Sequence, residues 1–383
     1  MTRPLRCLLM APVAPPDPDN GDAQYTRDLI DRPPSGVEYV SYTEALAAGE
    51  AAAGPSVKTM AARPAWRPRD VVPAVTRAGL HLARRSGYLL PDPVRWIRVL
   101  APFDLVHVHC MPVRFLGKVP PIVVSDSAGT WWHWTAARGI PDRRVHRMLV
   151  RERRIARAVG YLHPSAHPDP SVRTLLFVDA GRRLLRNVGV RVDDVVRCPP
   201  GVPGPLRPGR SDGRTLAFVA RNFAFKGGDV AVAVLRRLRA SDPGLRLLVA
   251  GSSEPDPGID GVEWLGPLSR RQLYERVYPA ADLFLYPTRF DCAPLVVMEA
   301  LAHGIPVVAP RAFALPELVQ DGVTGRLFEP RDLDGAVAAV AGVLGDPSGL
   351  AAMRRRCRRD FEERFSIDHR NRVLAEAYAE AVR

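Results

Sequence analysis

Two acidic residues eight positions apart, Asp291 and Glu299, flank a segment that is suited to bind an anion. Pro294 lies between them, and proline suits the first position of a helix because its missing N–H would have no helical partner there. We therefore expect a helix that starts at Pro294 and directs its first N–H groups, those of Leu295 and Val296, at a ligand. Glu299 would follow about one turn later, within reach of ligand hydroxyls. The alternative is an ordinary helix-to-strand step with two solvated acids.

A second loop carries cations. Only three of the 54 basic residues are lysines. A position that keeps a lysine in this arginine-rich chain is therefore a candidate for a site that needs an ammonium group. Arg221 and Lys226 flank a loop between an apolar strand-like run and a helix, and Gly227 and Gly228 follow directly. Two fixed cations in a glycine-bearing loop suit a diphosphate. The order of residues is not that of a Walker P-loop.

In the N-terminal half, His109 and Asp126 each come at the end of an apolar, strand-like run. Open α/β sheets bind ligands at the carboxyl ends of their strands, which makes both residues catalytic candidates. A histidine in this position can equally be structural. Gly21 lies in the loop after the first such run, where α/β folds place phosphates or substrates.

Strand-like and helix-like runs alternate along the chain, which predicts an α/β fold with parallel sheets. Strands are predicted at residues 4–12, 37–42, 103–109, 121–127, 172–178, 195–198, 215–220, 245–250, 262–266, 282–286 and 305–309. Residues 94–100 are interpreted as a basic amphipathic segment. A helix is predicted at residues 269–277, and two amphipathic helices, at residues 333–344 and 367–382, are predicted to close the chain.

The chain has 383 residues, which is about right for two domains. Residues 203–214 are dense in proline, glycine and charge, and the strand–helix rhythm restarts after them. The predicted domains are residues 1–203 and residues 204–366, followed by a C-terminal helix at residues 367–383.

The composition limits the function classes. The net charge of +13 suits an anionic partner, and by itself it allows a nucleic-acid-binding protein. The five cysteines contain no Cys-x-x-Cys pair, so reduced thiols are expected and a zinc site is not. No signal-peptide pattern and no long apolar run are present, which predicts a cytoplasmic protein.

Tryptophans cluster at residues 131–134, followed by an arginine-rich segment at residues 138–157. This combination is typical of a peripheral membrane-surface anchor or of an acceptor-binding wall that stacks on sugar rings. A partly buried aromatic cluster beside a solvated helix is the alternative.

These motifs resemble the retaining glycosyltransferases of family 4, also called glycosyl transferases group 1. The acids at Asp291 and Glu299, the Arg221–Lys226 loop and the turn at residues 262–266 carry most of the resemblance, which is specific mainly from residue 215 onward. Further matches are Pro316-Glu317, Gly322-x-x-Gly325 and residues 198–202. The family implies the GT-B architecture, two Rossmann-like domains whose parallel sheets face each other across an interdomain cleft. It also implies that residues 1–203 are the acceptor domain, that residues 204–366 are the nucleotide-sugar donor domain, and that the helix at residues 367–383 packs back on the N-terminal domain.

The resemblance also implies roles for individual residues. Arg221 and Lys226 would hold the donor diphosphate, Glu299 the nucleotide ribose, and Asp291 the hydroxyls of the donor sugar. The remaining donor-binding positions implied are Gly21, Gly251, Trp264, Leu265, Leu295 and Val296.

The chain departs from the family pattern at three places. The first acid of the pair is Asp291, which is one methylene shorter than the usual Glu. Gly21 is followed by Asp22 where a second glycine is common. Ser127 or its neighbour Asp126 stands where the family has an active-site histidine, so His109 does not simply inherit that role.

The expected function is the transfer of a sugar from a UDP- or GDP-sugar to a hydroxyl acceptor, with retention of configuration and without metal or cofactor. The acceptor would be a small molecule or lipid-linked, in cell-surface glycan, glycolipid or natural-product biosynthesis, and nucleic acid is not an expected partner. The alternatives are a GT-B enzyme of another reaction, such as an epimerase or a phosphorylase, and a basic nucleic-acid-binding protein.

Overall fold

The computed structural model describes residues 3–11, 21–53, 95–110, 113–127, 147, 150, 172–187, 195–204, 212–254 and 256–383. The tryptophan cluster and nearly all of the arginine-rich segment after it lie outside the described residues. The chain divides into two compact units. The first comprises Met1–Cys198 with Asn371–Arg383, and the second comprises Pro199–Arg370.

The first unit is built on parallel strands. In chain order its described strands are β1 (Leu5–Met10), β2 (Val37–Ser41), β3 (Ala51–Ala53), β4 (Arg95–Val99), β5 (Leu105–His109), β6 (Val113–Phe115), β7 (Ile122–Asp126), β8 (Arg173–Leu176) and β9 (Val195–Arg197). Its described helices are α1 (Gly21–Asp31), α2 (Tyr42–Ala47) and α3 (Ala180–Asn187). Six strands form one parallel sheet in the order β2-β1-β5-β7-β8-β9.

The central strands of this sheet are buried along almost their whole length, as the β-branched residues of β5 and β7 predict for a parallel sheet. His107 and Ser125 are therefore polar side chains inside an apolar layer. A buried polar group needs a hydrogen-bond partner, so these two residues identify a point in the core where partners must be supplied.

A smaller sheet of three strands, β3-β4-β6, lies in the same unit. The segment at residues 94–100, which was interpreted as basic and amphipathic without an assigned secondary structure, contains strand β4 (Arg95–Val99). Ile97 is buried there, and the period-two alternation of its neighbours suits a strand.

The second unit repeats the architecture. Its strands are β10 (Thr215–Val219), β11 (Arg246–Ala250), β12 (Val262–Gly266), β13 (Leu283–Leu285), β14 (Val307–Pro310) and β15 (Gly325–Phe328). Its helices are α4 (Gly228–Arg239), α5 (Arg270–Gln272), α6 (Leu295–Ala302), α7 (Leu315–Leu318), α8 (Leu333–Leu344) and α9 (Pro347–Arg364). All six strands are parallel, in the order β12-β11-β10-β13-β14-β15. The predicted α/β fold with two Rossmann-like parallel sheets is confirmed.

Three details of the helices differ from the prediction. Helix α6 begins at Leu295 with Pro294 as its N-cap, one position later than expected. The helix predicted at residues 269–277 is irregular, since α5 continues as one π turn over Leu273–Val277. Helix α9 was missed, because arginines interrupt the apolar periodicity of its 18 residues.

The last helix, α10 (Ile367–Ala381), begins in the second unit and ends in the first. Its residues from Asn371 onward count with the first unit, where Tyr378 is buried and hydrogen-bonds to Tyr39. Among the described residues no single helix is long and apolar enough to cross a membrane. Helices α8 and α9 reach the length and apolar composition of a membrane span only when they are counted together, and the angle between them is 95°.

Candidate functional site

The predicted donor residues of the second unit lie in the loops that follow its parallel strands. Arg221 and Lys226 follow β10, Gly251 follows β11, and Asp291 lies in the loop after β13. The carboxyl ends of parallel strands share one edge of the sheet, which is the ligand edge of such folds. Arg221 is exposed at this edge.

Lys226 and Asp291 form an ion pair. The ammonium Nζ of Lys226 lies 2.5 Å from Asp291 Oδ2 and donates to the carbonyl oxygen of Phe290 at 2.9 Å. The two side chains are only 19% and 15% exposed. The pair joins two loops that are 65 residues apart in sequence, so a diphosphate that reached Lys226 would compete with Asp291 for the ammonium.

Tyr286 is a member of this cluster that the sequence did not reveal. Its hydroxyl donates to Asp291 Oδ2 at 2.7 Å. Burial, with the nearby charge of Asp291, raises the pKa of Tyr286 well above 10, so the phenol keeps its proton and remains a donor. Its position as the last residue of a predicted strand was the one signal that could have identified it.

The loop that carries Lys226 is held in place by backbone geometry and by a salt bridge. Gly227 has φ +80°, and a Cβ there would lie 2.0 Å from the carbonyl oxygen of Pro287, so only glycine fits. Arg289 binds Asp229 through two hydrogen bonds of 2.8 and 2.6 Å and also donates to the carbonyl oxygen of Ala224. The Arg289 guanidinium lowers the pKa of Asp229. These contacts connect the loop after β10 with the loop after β13.

Trp264 and Leu265, predicted to lie near the nucleobase, are half-buried on β12. The Trp264 indole N–H donates to the carbonyl oxygen of Glu254 at 2.8 Å, and its ring centroid lies 4.9 Å from that of Phe223. Gly251 has φ +94°, and a Cβ there would come within 3.0 Å of the backbone after β10. A side chain at this position would therefore be strained.

The N-terminus of α6 comes directly after the loop that carries Asp291. No side chain among the described residues caps it, and Leu295 and Val296 are half-buried. The first N–H groups of a helix have no partner within the helix, so this end is suited to an anion. The backbone N–H of Ala293 donates to Asp291 Oδ1 at 3.3 Å, which ties the acid to the helix start.

Glu299 lies inside α6 and is almost fully buried. Its Oε1 accepts from Arg270 Nε at 2.7 Å and its Oε2 accepts from the Tyr278 hydroxyl at 2.8 Å. Sequence reasoning missed both donors: Arg270 lies in α5, and Tyr278 begins the 3₁₀ turn Tyr278–Ala280 that follows the π turn. A carboxylate offers about four lone-pair positions, so Glu299 retains acceptor capacity for a ligand hydroxyl.

His303, at the end of α6, hydrogen-bonds to the backbone of Glu299. Its Nδ1 donates to the carbonyl oxygen of Glu299 at 2.7 Å, and its ring stacks on Tyr278 with centroids 4.8 Å apart. A carbonyl oxygen only accepts, so Nδ1 carries the proton and Nε2 holds a lone pair. Burial lowers the pKa of His303, which favours the neutral ring.

In the first unit, His109 and Asp126 end strands β5 and β7 and are both fully buried. His109 Nδ1 lies 2.8 Å from Ser125 Oγ, and its ring stacks on Phe177 with centroids 5.4 Å apart. The thiol of Cys110 donates to Asp126 Oδ1 at 3.8 Å. Both candidates are therefore part of the hydrogen-bonded interior of this unit.

Gly21, the remaining predicted position, is exposed as the first residue of α1. No group of three or more His, Cys, Asp or Glu side chains able to hold a metal occurs in the part of the chain that the structure describes.

A family model described as "Glycosyl transferases group 1" matches residues 213–346. This stretch contains the second unit's strand-end loops, from Arg221 through Glu299.

Curated proteins give longer matches. D-inositol 3-phosphate glycosyltransferase of Mycobacterium avium is 32% identical over 257 residues, 56% of this chain and 59% of that protein. The protein of the same name from Saccharomonospora viridis is 30% identical over 324 residues, 73% of this chain and 70% of the relative. The chain thus aligns with somewhat more than half the length of the mycobacterial relatives.

Among solved structures, the chain is similar to Anabaena Alr3699/HepE in complex with UDP and glucose. The TM-score is 0.60 at 14% identity, and the match covers 98% of this chain and 100% of that one. At this identity the likeness concerns the fold alone.

Proposed function

This chain belongs to the glycosyl transferases group 1 family, and we propose that it transfers a sugar from a nucleotide diphosphate sugar to a hydroxyl acceptor. The observation that carries the proposal is the ion pair between Lys226 and Asp291, which joins two strand-end loops beside the uncapped start of α6. A cation and a helix N-terminus at one sheet edge match the diphosphate of such a donor, and the acid beside them matches its sugar hydroxyls.

The leaving group sets the main electrostatic demand. When the bond between the sugar and the diphosphate breaks, negative charge grows on the phosphate oxygens. Fixed positive groups stabilise that charge best when they need no reorganisation. Lys226, held by two acceptors, and Arg221 at the mouth of the same loop would supply it together with the α6 N–H groups. We propose that the reaction needs neither metal nor cofactor.

The acids would hold hydroxyls. Asp291, whose Oδ2 accepts from the protonated Tyr286, would offer its carboxylate oxygens as acceptors to hydroxyls of the donor sugar. Glu299, with lone pairs left after Arg270 and Tyr278, would accept from the nucleotide ribose. Trp264 and Leu265 would lie beside the nucleobase, which the family resemblance suggests is uracil or guanine.

We propose retention of configuration. The acceptor oxygen would attack the anomeric carbon on the face that the diphosphate leaves. The acceptor's proton would pass to the departing phosphate oxygen, so that one carbon–oxygen bond forms as the other breaks. Under this scheme the site needs no carboxylate nucleophile.

Two kinds of acceptor fit this proposal. The mycobacterial relatives are named for D-inositol 3-phosphate, which makes a phosphorylated polyol the first small acceptor to test. The tryptophan- and arginine-rich residues 131–157 favour a lipid-linked acceptor at a membrane surface, in cell-surface glycan or glycolipid synthesis.

The test is a turnover assay with a panel of UDP- and GDP-sugars. Each donor is offered with D-inositol 3-phosphate or with acceptor lipids in anionic vesicles, and release of nucleoside diphosphate is measured with and without EDTA. The proposal expects one donor to turn over regardless of EDTA, and NMR of the product to show the donor's anomeric configuration. No release from any donor, with or without acceptor, would overturn it.

A further inference from the structure

Two donors from different elements of the second unit converge on one carboxylate oxygen of Asp291. Its Oδ2 accepts from Lys226 Nζ at 2.5 Å and from the Tyr286 hydroxyl at 2.7 Å. Within the part of the chain that the structure describes, the other oxygen, Oδ1, has one partner, the backbone N–H of Ala293 at the longer distance of 3.3 Å. Each carboxylate oxygen has about two lone-pair positions, so both of those on Oδ2 are used and Oδ1 keeps acceptor capacity.

Tyr286 is held in place by the sheet and by the core. It directly follows β13, and its backbone N–H donates to the carbonyl oxygen of Val308 at 2.8 Å, which continues the pairing of β13 with β14. Its side chain is buried, and its ring stacks on that of Phe284 with centroids 5.8 Å apart. Close packing leaves such a ring few alternative positions, so its hydroxyl stays directed at Asp291.

Lys226 is held less firmly than Tyr286. Its ammonium lies at the end of a flexible four-carbon stem on the loop after β10, and its side chain is partly exposed. A bound diphosphate would attract this ammonium toward its own charged oxygens and weaken the bond to Asp291. The hydroxyl of Tyr286 is neutral and buried, so the diphosphate does not compete for it.

We propose that Tyr286 is a positioning residue for the donor sugar. Its hydroxyl holds Oδ2 of Asp291 when Lys226 turns to the diphosphate, so that Oδ1 stays directed at a hydroxyl of the sugar. The phenol is buried whereas the Asp291 side chain is partly exposed, so Tyr286 acts through the acid without touching the sugar. This inference rests on the proposed function and adds to it the oxygen that binds the sugar and the group that orients that oxygen.

The consequence is a separation between the two parts of the donor. A nucleoside diphosphate lacks the transferred sugar, so it makes no use of the Asp291 oxygen that Tyr286 orients. Loss of the Tyr286 hydroxyl should therefore weaken binding of the nucleotide sugar and spare binding of the nucleoside diphosphate. A general distortion of the site would weaken the binding of both ligands.

The test is isothermal titration calorimetry of the full chain with UDP, GDP and the panel of UDP- and GDP-sugars. Tyr286→Phe keeps the ring and removes the hydroxyl. We expect Kd for the nucleotide sugar to rise about tenfold, the size of one hydrogen bond to a charged group, and Kd for the nucleoside diphosphate to stay within about twofold of wild type. An unchanged Kd for the sugar nucleotide, or an equal rise for both ligands, would overturn the inference.

The matched control is Tyr39→Phe. It removes a phenol hydroxyl with a hydrogen bond of the same 2.7 Å, to Tyr378 in the first unit, and should leave both Kd values unchanged. The unfolding temperature of each variant shows whether it is folded.

A second variant tests whether Tyr286 acts through Asp291. Asp291→Ala should lose at least as much affinity for the nucleotide sugar as Tyr286→Phe does. It should bind the nucleoside diphosphate at least as tightly as wild type, because no carboxylate then competes for Lys226. Adding Tyr286→Phe to Asp291→Ala should change neither Kd further, and a further loss would overturn the inference. Weaker binding of the nucleoside diphosphate by Asp291→Ala would also overturn it, even if Tyr286→Phe does not fold.

The same measurements separate this inference from the proposed function. Binding of no nucleotide and no nucleotide sugar to the wild type would overturn the proposed function, and this inference with it. A wild type that binds and transfers a sugar, beside a Tyr286→Phe variant with unchanged affinity for that donor, would overturn this inference alone. In the turnover assay kcat/KM of Tyr286→Phe should fall about tenfold, while product inhibition by the nucleoside diphosphate stays as in the wild type.

Discussion

The two units place different chemistry at the same edge of the same kind of sheet. In the second unit, buried or half-buried charges meet in pairs: Lys226 with Asp291, and Arg270 with Glu299. In the first unit, side chains that hydrogen-bond to one another form a series, from Tyr378 through His107 and Ser125 to His109.

The difference follows from what each edge would bind. A diphosphate carries charge that grows during the reaction, so a binding edge needs fixed cations, and the acids keep those cations in place. The reacting hydroxyl of an acceptor carries no charge, so the groups around it need to be directed donors and acceptors. One architecture can therefore serve a charged leaving group and a neutral hydroxyl by changing the residues at the strand ends.

The largest effect is expected from removing a partner of the buried pair. Glu299→Ala removes one side of a largely buried ion pair with Arg270, and breaking such a pair typically costs about 3–5 kcal/mol. Urea unfolding measures it. The matched control is Glu275→Ala. Its partner Arg271 makes the same Nε–Oε1 contact at 2.7 Å, but the side chains of Arg271 and Glu275 are 83% and 45% exposed. Those of Arg270 and Glu299 are only 16% and 5% exposed. The control should cost far less, because an exposed ion pair contributes little to stability, and equal losses would show that burial does not matter here.

The next effect concerns the cation at the diphosphate. Lys226→Met keeps the length of the side chain and removes its charge, so kcat/KM for the nucleotide sugar should fall about a hundredfold, as when one donor to a developing anion is lost. Steady-state nucleoside diphosphate release measures it. Lys118→Met, an exposed lysine of the first unit, is the control and should retain full turnover. A Lys226→Met enzyme within about threefold of wild type would remove Lys226 from the donor site.

A smaller effect is expected from lengthening the first acid. Asp291→Glu moves the carboxylate by one methylene and disturbs its contacts with Lys226 and Tyr286. Relative turnover of different donor sugars should then change by up to about tenfold, the range of one altered polar contact. The measurement is the ratio of kcat/KM for two donors in each protein. An unchanged ratio would place the sugar hydroxyls elsewhere.

The smallest effect is a pH dependence of stability. Burial lowers the pKa of His303 from its ordinary 6.5, so the unfolded chain binds more protons than the folded one below that value. The free energy of unfolding should therefore fall as the pH drops below about 6.5. His303→Gln keeps a donor for the Glu299 carbonyl and removes the titration, so its decline from pH 7 to about pH 5 should be shallower. Parallel slopes in the two proteins would contradict the assignment.

Sequence patterns predicted most of the fold because every strand of the two main sheets except β15 (Gly325–Phe328) has its own local signal. Residues 305–309 are apolar and β-branched after a glycine, and β14 lies there at Val307–Pro310. The patterns failed where the local signal conflicts with the structure. Helix α9 buries Leu350, Cys357 and Phe361 among arginines, so its apolar stripe is too thin to detect.

The candidate site was only partly predictable for a related reason. Motif spacing identified Lys226, Asp291 and Glu299 one by one, and their roles remain predictions. It did not reveal that Lys226 and Asp291 pair, or that Arg270 and Tyr278 hold Glu299, because these contacts join separate elements. His109 was predicted as a single catalytic candidate. The structure shows that it belongs to a series of hydrogen-bonded side chains that extends to Tyr378 in the last helix.

The most direct test of the charged edge is protection from thermal unfolding by UDP, GDP and their sugars. A ligand that binds only the folded state raises the unfolding temperature by mass action. We predict that one nucleotide diphosphate protects the wild type and Lys118→Met but protects Lys226→Met and Glu299→Gln much less. Equal protection of all four proteins, or protection of none by any nucleotide, would contradict the placement of the donor at this edge.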